Sequence, residues 1–322
     1  MKTRPFKQID VFTAQPYFGN PLAVVLDGSG LDDAAMQRFA HWTNLSETTF
    51  LLPPVHPSAD YGVRIFTPGG ELPFAGHPTL GTCHAWLQAG GQPKRKDVIV
   101  QECKVGLISI RPERHAGGTR YAFAAPALKR SAPSPAVLSQ VAGALGLKAS
   151  QITAAQMLDN GPLWLALLLD SADTVLQLAP DHLALKKFGI KVGVAGPHDA
   201  QEAATPGLIA RSSREARAFA GAAQRAADRP PAGHAPDQAD FEVRAFAAPI
   251  GVQEDPVTGS LNASLAQWLI AEGHAPAAYV VAQGTCLGRA GRVYLSQESA
   301  GGESQVWVGG ESVTCIDGTV TL

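Results

Sequence analysis

The sequence predicts an α+β protein of two pseudo-symmetric domains, in each of which short strands enclose one uncharged helix. Three observations predict it. The first is an internal echo: Tyr61-Gly62-Val63-Arg64-Ile65-Phe66 resembles Phe241-Glu242-Val243-Arg244-Ala245-Phe246, offset by 180 residues, and a fixed-period echo marks a repeated structural unit. The second is that each segment leads through a Gly/Pro loop into an apolar helix without a charged face, the pattern of a helix surrounded by protein. The third is composition: 33 Gly and 24 Pro in 322 residues describe many short strands with tight connections.

The elements follow in order. Residues 8–13 alternate like a strand, Asn20-Pro21 breaks the chain, and residues 22–26 form a second apolar strand. Asp32 reads as the N-cap of a helix carrying Met36, Phe39 and Ala40 at helical spacing and ending near Asn44. Residues 48–52 and 63–66 are strands, which places Glu47 at a helix-to-strand junction. The first uncharged helix runs from Pro78 to Ala89 with Gly90 as its C-cap. Residues 98–100 and 105–110 form a hairpin, residues 131–150 read as helical, and residues 161–170 as a turn and a buried strand. Arg211 to Arg225 is Ala-rich and helical in pattern, and Asp228 to Asp240 reads as a surface loop. The second uncharged helix spans Val257 to Ala271, with Leu261, Leu265, Trp268 and Leu269. An ungapped offset pairs Ala75 with Asp255, while Trp86 and Trp268 miss the register by two.

Length and charge exclude several classes. A chain of 322 residues accommodates two domains. A formal net charge of −2 gives no basic stripe for nucleic acid and no polybasic membrane patch. The longest apolar run, residues 163–169, is far too short to span a bilayer, and the first ten residues lack a signal core. A cytoplasmic protein is the expectation. Cys83, Cys103, Cys286 and Cys315 form no C-x-x-C pair and read as free thiols rather than metal ligands or a disulfide framework. Neither G-x-G-x-x-G after a strand nor a P-loop is present, which disfavours nicotinamide and nucleotide enzymes.

Three clusters bear chemistry: Asn44-Leu45-Ser46-Glu47-Thr48, Phe74-Ala75-Gly76-His77-Pro78-Thr79 and Glu254-Asp255-Pro256-Val257-Thr258-Gly259-Ser260. The last two precede or open the uncharged helices, whose N-termini offer unpaired N–H groups and a positive dipole end to an anion. If the two domains face each other, both helix starts open into one cleft. Taken singly, each residue has a structural reading. Glu47 suits a cap or a solvent-facing side chain, His77 a structural side chain, Asp255 an N-cap, and Ser260 a backbone contact. Arg64 and Arg244 read as salt-bridged structural residues.

Taken together, the strings 18–25 (Phe-Gly-Asn-Pro-Leu-Ala-Val-Val), 44–48, 64–68 (Arg-Ile-Phe-Thr-Pro), 74–79 and 254–260 resemble the PhzF family of phenazine biosynthesis in order and spacing over nearly the whole chain. The resemblance implies the diaminopimelate-epimerase-like fold, two similar domains each wrapping a curved antiparallel sheet around a central helix. It divides the chain into residues 1–126 and 127–322, with the last C-terminal strand a candidate to complete the first domain. It implies a homodimer that uses no cofactor, and the missing ligand spacing leads to no expectation of a metal. Residue by residue, Glu47 resembles the family's catalytic Glu. His77 and Asp255 match its other catalytic positions, and Ser260, Gly76, Thr258 and Gly259 its substrate-binding ones. Related epimerases carry two cysteines just before the two helices. Here Ala75 and Asp255 stand there, so a two-thiol mechanism is not expected.

The function expected is a proton-transfer isomerase or epimerase acting on a small carboxylated substrate by general acid–base catalysis. The alternatives are a lyase that abstracts the same proton, or a non-catalytic binding protein that keeps the fold.

Overall fold

A computed structural model describes residues 1–115, 117–198, 238–300 and 303–322. The first half contains β1 (Thr3–Val11), β2 (Asn20–Val25), α1 (Asp33–Thr43), β3 (Glu47–Leu52), β4 (Tyr61–Thr67) and β5 (Gly70–Leu72). It continues with α2 (Gly76–Gln88), β6 (Ile99–Cys103), β7 (Gly106–His115) and β8 (Gly118–Ala124). The second half opens with β9 (Lys129–Ser131), α3 (Pro135–Leu145), β10 (Ile152–Asp159) and β11 (Leu163–Leu169). Two short helices, α4 (Ala172–Leu176) and α5 (His182–Lys187), lead to β12 (Lys191–Pro197), β13 (Phe241–Ala247) and β14 (Val252–Asp255). Then come α6 (Gly259–Ala271), β15 (Ala278–Gln283), β16 (Gly291–Ala300), β17 (Glu303–Gly310) and β18 (Ser312–Thr321).

The two halves repeat one pairing scheme. β1 is antiparallel to β2, β2 parallel to β3, β3 antiparallel to β4, and β4 parallel to β6, which continues antiparallel through β7 to β8. β10, β11, β12, β13, β15, β16 and β17 repeat these relations. β8 and β17 pair antiparallel and join the two sets. β9 then pairs with β10, and β18 returns to pair with β1 along its whole length. The 180-residue echo is a true structural repeat. Tyr61 stands opposite Gln101, and Phe241 opposite Val281. Asp60 accepts a hydrogen bond from the Val100 amide, as Asp240 does from the Val280 amide.

The repeat extends to charge. Arg64 forms a bidentate pair with Glu71 at 2.8 and 2.9 Å, and Arg244 one with Glu254 at 2.9 and 2.8 Å. Each guanidinium also lies over a phenylalanine ring, Phe66 at 5.0 Å and Phe246 at 5.1 Å. Both arginines are structural, as the sequence indicates.

The ungapped alignment fails beyond these strands. The 3-10 turn Ala248–Ile250 between β13 and β14 inserts three residues. Leu72, which pairs with Ile65, therefore corresponds to Asp255, which pairs with Ala245. The helix N-caps, Ala75 and Thr258, correspond to each other. The expected pairing of Ala75 with Asp255 is corrected accordingly. Asp255 closes β14 rather than capping α6. Neither N-cap is a cysteine.

Both central helices are enclosed, which explains their lack of charge. α2 packs against β1, β2, β3, β8 and β18, and α6 against β10, β16 and β17. One apolar core runs through both, taking Leu80 and Cys83 from α2 and Leu261, Leu265 and Trp268 from α6. Some of their polar side chains are bonded inside: Thr82 donates to Thr49 at 2.9 Å, and Asn262 to Gln283 at 2.8 Å. Two smaller cores lie outside the strands, one under α1 with Met36, Phe39 and Phe50, the other under α3, α4 and α5.

Several boundaries differ from the sequence reading. α2 begins two residues early, at Gly76, because Pro78 lies in the first turn, where a missing N–H costs nothing. Its C-cap is Ala89, and Gly90 follows at φ 92°. α6 begins at Gly259 rather than Val257. The helix expected over 131–150 is only Pro135–Leu145. Ser134 caps its start, Gly146 at φ 68° ends it, and a separate 3-10 turn follows at Ala149–Gln151. The helix expected over 211–225 and the loop over 228–240 lie outside the described residues, save 238–240.

The two Arg–Glu pairs differ in burial, and that decides a prediction. Arg244 and Glu254 are 6% and 7% exposed, Arg64 and Glu71 25% and 19%. Arg244→Met strands a buried carboxylate and should cost about 3–5 kcal/mol in urea unfolding. Arg64→Met leaves Glu71 open to water and to Lys104 at 3.5 Å, and should cost about 1 kcal/mol or less. Equal losses would refute this ordering.

Candidate active site

The site forms where the two central helices begin. Their N-termini abut: a Cβ placed on Gly259 would stand 3.0 Å from the Gly76 Cα and 3.2 Å from the His77 amide nitrogen, and one on Gly76 would stand 2.6 Å from the Phe123 ring. Only glycine permits this approach. Gly76, His77, Gly259 and Ser260 occupy the first turns, where amides lack intrahelical acceptors. Four of the expected residues thus meet at one point, with Thr258 as the adjoining N-cap.

Glu47 arrives from the first half. α1 ends at Asn44 in the left-handed region, φ 53°, which turns the chain into β3. Glu47 is the first residue of β3, in register with Leu22 on β2. The Glu47 side chain is 16% exposed, and its Oε2 has no hydrogen-bond partner. Burial raises its pKa from 4.5 to about 7, against smaller opposing pulls from the Ser46 hydroxyl and the Lys191 charge.

His77 lies beside it, 5% exposed, with Nδ1 3.4 Å from Glu47 Oε2 and Nε2 unpartnered. Burial lowers its pKa to about 4, against the pull of Asp255 and of the Pro21 carbonyl. The imidazole is therefore neutral near pH 7, and the 3.4 Å approach is a contact between a carboxyl and a neutral ring rather than an ion pair.

Asp255 is held on both oxygens. Oδ1 accepts from Asn20 Nδ2 at 3.0 Å, and Oδ2 from the Thr258 hydroxyl at 2.6 Å. Burial first, then the charge of Glu47, raises its pKa to about 6. Asn20 also donates to the Val257 carbonyl at 2.8 Å, fastening the first half to the loop before α6. Gln283 braces the same loop, accepting from the Thr258 amide and donating to the Asp255 carbonyl.

All seven expected residues therefore lie at the helix junction or at the start of β3. Four others escaped the sequence reading. Asn20 begins β2 and Ser46, whose hydroxyl donates to it at 3.2 Å, precedes β3. Both lay within strings already singled out, Phe-Gly-Asn-Pro and Asn-Leu-Ser-Glu-Thr, but neither was assigned a role. Asn160, in the β10–β11 turn, donates to the Ser260 carbonyl at 2.9 Å and keeps an unpartnered Oδ1. Lys191 acts electrostatically on both Glu47 and Asp255. Nothing local in the sequence marks these last two, because the repeat brings them in from distant strands.

Among the described residues, no group of three or more His, Cys, Asp or Glu side chains is placed to ligate a metal, and no helix is long and apolar enough to cross a membrane. All four cysteines are free. A hollow of about 440 Å³ beside Arg64, Glu71 and Lys104 lies away from the helix junction. Its charges are already paired with one another and with Asp33.

Two repeats, each closing strands around a central helix and meeting at the helix starts, define a protein of the diaminopimelate-epimerase-like fold. The sequence model of the "Phenazine biosynthesis-like protein" family, PhzC-PhzF, matches residues 9–318, and the chain belongs to that family. It is 34% identical to "Antisense-enhancing sequence 1" of Schizosaccharomyces pombe, with 99% of each chain covered. It is 33% identical to the trans-2,3-dihydro-3-hydroxyanthranilate isomerase of Pseudomonas aeruginosa, with 98% of each covered. The crystal structure of a PhzF-family protein of Bacillus anthracis covers all of both chains at a TM-score of 0.76 and 23% identity, a likeness of fold. The protein is an isomerase of the PhzF-like kind.

The raised pKa of Glu47 links to stability. Below 4.5 the carboxyl is protonated in folded and unfolded chains alike. Between 4.5 and about 7 the unfolded chain ionises first, so the contribution of Glu47 to stability falls as pH rises through that window, by up to about 3 kcal/mol. Glu47→Gln does not titrate. Its melting temperature should therefore exceed that of wild type at pH 8 and converge with it near pH 4. A Glu47→Gln protein less stable than wild type at pH 8 would contradict the burial of the ionised carboxylate.

Proposed function

We propose that the protein moves a proton on a small carboxylated substrate without a metal or organic cofactor, as an isomerase or epimerase, with Glu47 as the base. The observation that carries this reading is an unpartnered, buried Glu47 oxygen whose pKa lies near neutrality, beside a neutral imidazole and two facing helix starts. A base acting on a carbon acid needs a pKa near the working pH and a site poor in water. Glu47 meets both needs.

In the proposed mechanism the substrate carboxylate docks at the amides of Gly76, His77, Gly259 and Ser260, where the helix dipoles favour negative charge. Glu47 takes a proton from carbon, and the charge that develops on the substrate is met by the same amides. His77, neutral, donates or accepts a hydrogen bond through Nε2. Glu47 then returns the proton to another carbon. The name of the Pseudomonas relative makes trans-2,3-dihydro-3-hydroxyanthranilate the first substrate to try, followed by cyclic and linear amino and hydroxy acids.

The decisive test is solvent-deuterium incorporation into these substrates. Glu47→Gln should lower exchange by about 10² to 10⁴-fold while melting cooperatively. Wild-type exchange in a folded Glu47→Gln protein would remove Glu47 from the mechanism. The base must be ionised to act, so wild-type kcat/KM should fall tenfold per pH unit on the acid side, with a midpoint near 7. A rate independent of pH between 5 and 8 would exclude a base of that pKa.

A further inference from the structure

The repeat gives Glu47 a counterpart. Thr48 pairs with Phe66 across β3 and β4, and Val192 with Phe246 across β12 and β13. Phe66 and Phe246 are mates in the 180-residue echo, so Thr48 corresponds to Val192 and Glu47 to Lys191. The parallel pairs agree: Leu22 stands beside Glu47, and Trp164 beside Lys191. The position that carries a carboxylate in one half carries an ammonium in the other.

Lys191 is half-buried, and its Nζ lies 4.9 Å from the centroid of the Trp164 ring. Among the described residues it forms no ion pair or hydrogen bond, although its charge reaches both Glu47 and Asp255. Burial of this kind lowers the pKa of an ammonium, and the two carboxylates oppose that fall. At the start of α6, Asn160 is 8% exposed, bonded to the Ser260 carbonyl, with Oδ1 unpartnered. A desolvated cation that no protein anion satisfies is poised for an anion from outside.

Charge balance gives the reason. A carboxylated substrate must enter beside Glu47 and Asp255, two groups of its own sign. The helix starts supply only partial positive charge. We propose that Lys191 binds the substrate carboxylate together with the helix starts, across the site from Glu47, and so selects anionic over neutral substrates. Resting on the proposed proton-transfer function, this assigns the residue that admits a carboxylate to a site already holding two. The Trp164 ring, 4.9 Å from Nζ, holds the ammonium in place rather than leaving it to wander.

The test separates charge from structure. Anthranilate and its uncharged counterpart anthranilamide are titrated calorimetrically at pH 8 into wild type, Lys191→Met, Lys191→Gln and Lys191→Arg. Wild type should prefer the anion. Lys191→Met keeps the stem over Trp164, and should weaken anthranilate about tenfold or more while leaving anthranilamide unchanged. Lys191→Arg should restore most of the preference, and Lys191→Gln serves should the Met variant fail to fold. With an active substrate, the loss should appear in KM rather than kcat. Unchanged anthranilate binding, equal loss for both probes, or no anion preference in wild type would each overturn the assignment. Repeating the titration in Glu47→Gln keeps it apart from the function. A protein that binds anions through Lys191 yet exchanges normally without Glu47 would sink the mechanism and leave this inference standing.

Discussion

The contact of Gly76 with Gly259 governs the rest of the structure. Two helices begin head to head with no side chain between them, and everything around the contact follows from what that arrangement needs. Two positive dipole ends in proximity repel, and their free amides require acceptors. The carboxylate of Asp255 stands at the same point, and Glu47 approaches it from the first half. The helix starts thus offer donors of the kind the proposed carboxylated substrate requires. The helices must also be reached from all sides by strands, which is why each carries no Asp, Glu, Lys or Arg between its caps.

The enclosure that buries the helices also sets the protonation states. Removing water raises a carboxyl and lowers an imidazole, and here both effects fall on neighbours. The result is a carboxyl that shares its proton near neutrality beside a ring that stays uncharged. Asp255 differs from Glu47 in its hydrogen bonds. Asn20 and Thr258 donate to its two oxygens and favour the ionised form, which offsets part of the desolvation. Asn20 does this from the opposite half of the molecule, so the same side chain fastens the halves together and tunes the site.

Much of this was legible in the letters. The repeat was visible because buried strands at equivalent positions need similar residues, and because Arg64 and Phe66 recur as Arg244 and Phe246. The central helices were visible because enclosure excludes charge. Their starts were less so. Pro78 reads as a first helical residue, yet it lies within the first turn of a helix that starts two residues earlier, and the three residues added around Ala248–Ile250 shift the register silently. The stretch from Ala278 to Gly310 forms three strands that no sequence argument addressed, and the helical pattern over 131–150 gave way to one helix and a separate turn. Glu47, His77 and Asp255 were found by resemblance of motifs. Asn160 and Lys191 were not, since their proximity to the site comes from strand pairing across distant segments.

Where the two halves agree and where they differ divides structure from chemistry. Asp60 and Asp240, Arg64 and Arg244, Glu71 and Glu254 hold equivalent strands and turns by the same bonds. These residues secure the fold, and both copies need them. Around the helix starts the copies diverge: Glu47 answers Lys191, Leu72 answers Asp255, and Ala75 answers Thr258. An enzyme that inverts a centre by two equivalent thiols would keep its halves alike at these positions. A proton carried by one carboxylate needs a base on one side only, and the proposed carboxylated substrate needs its countercharge on the other. The broken symmetry at Glu47 and Lys191 is what one-base proton transfer on an anion asks of a duplicated fold.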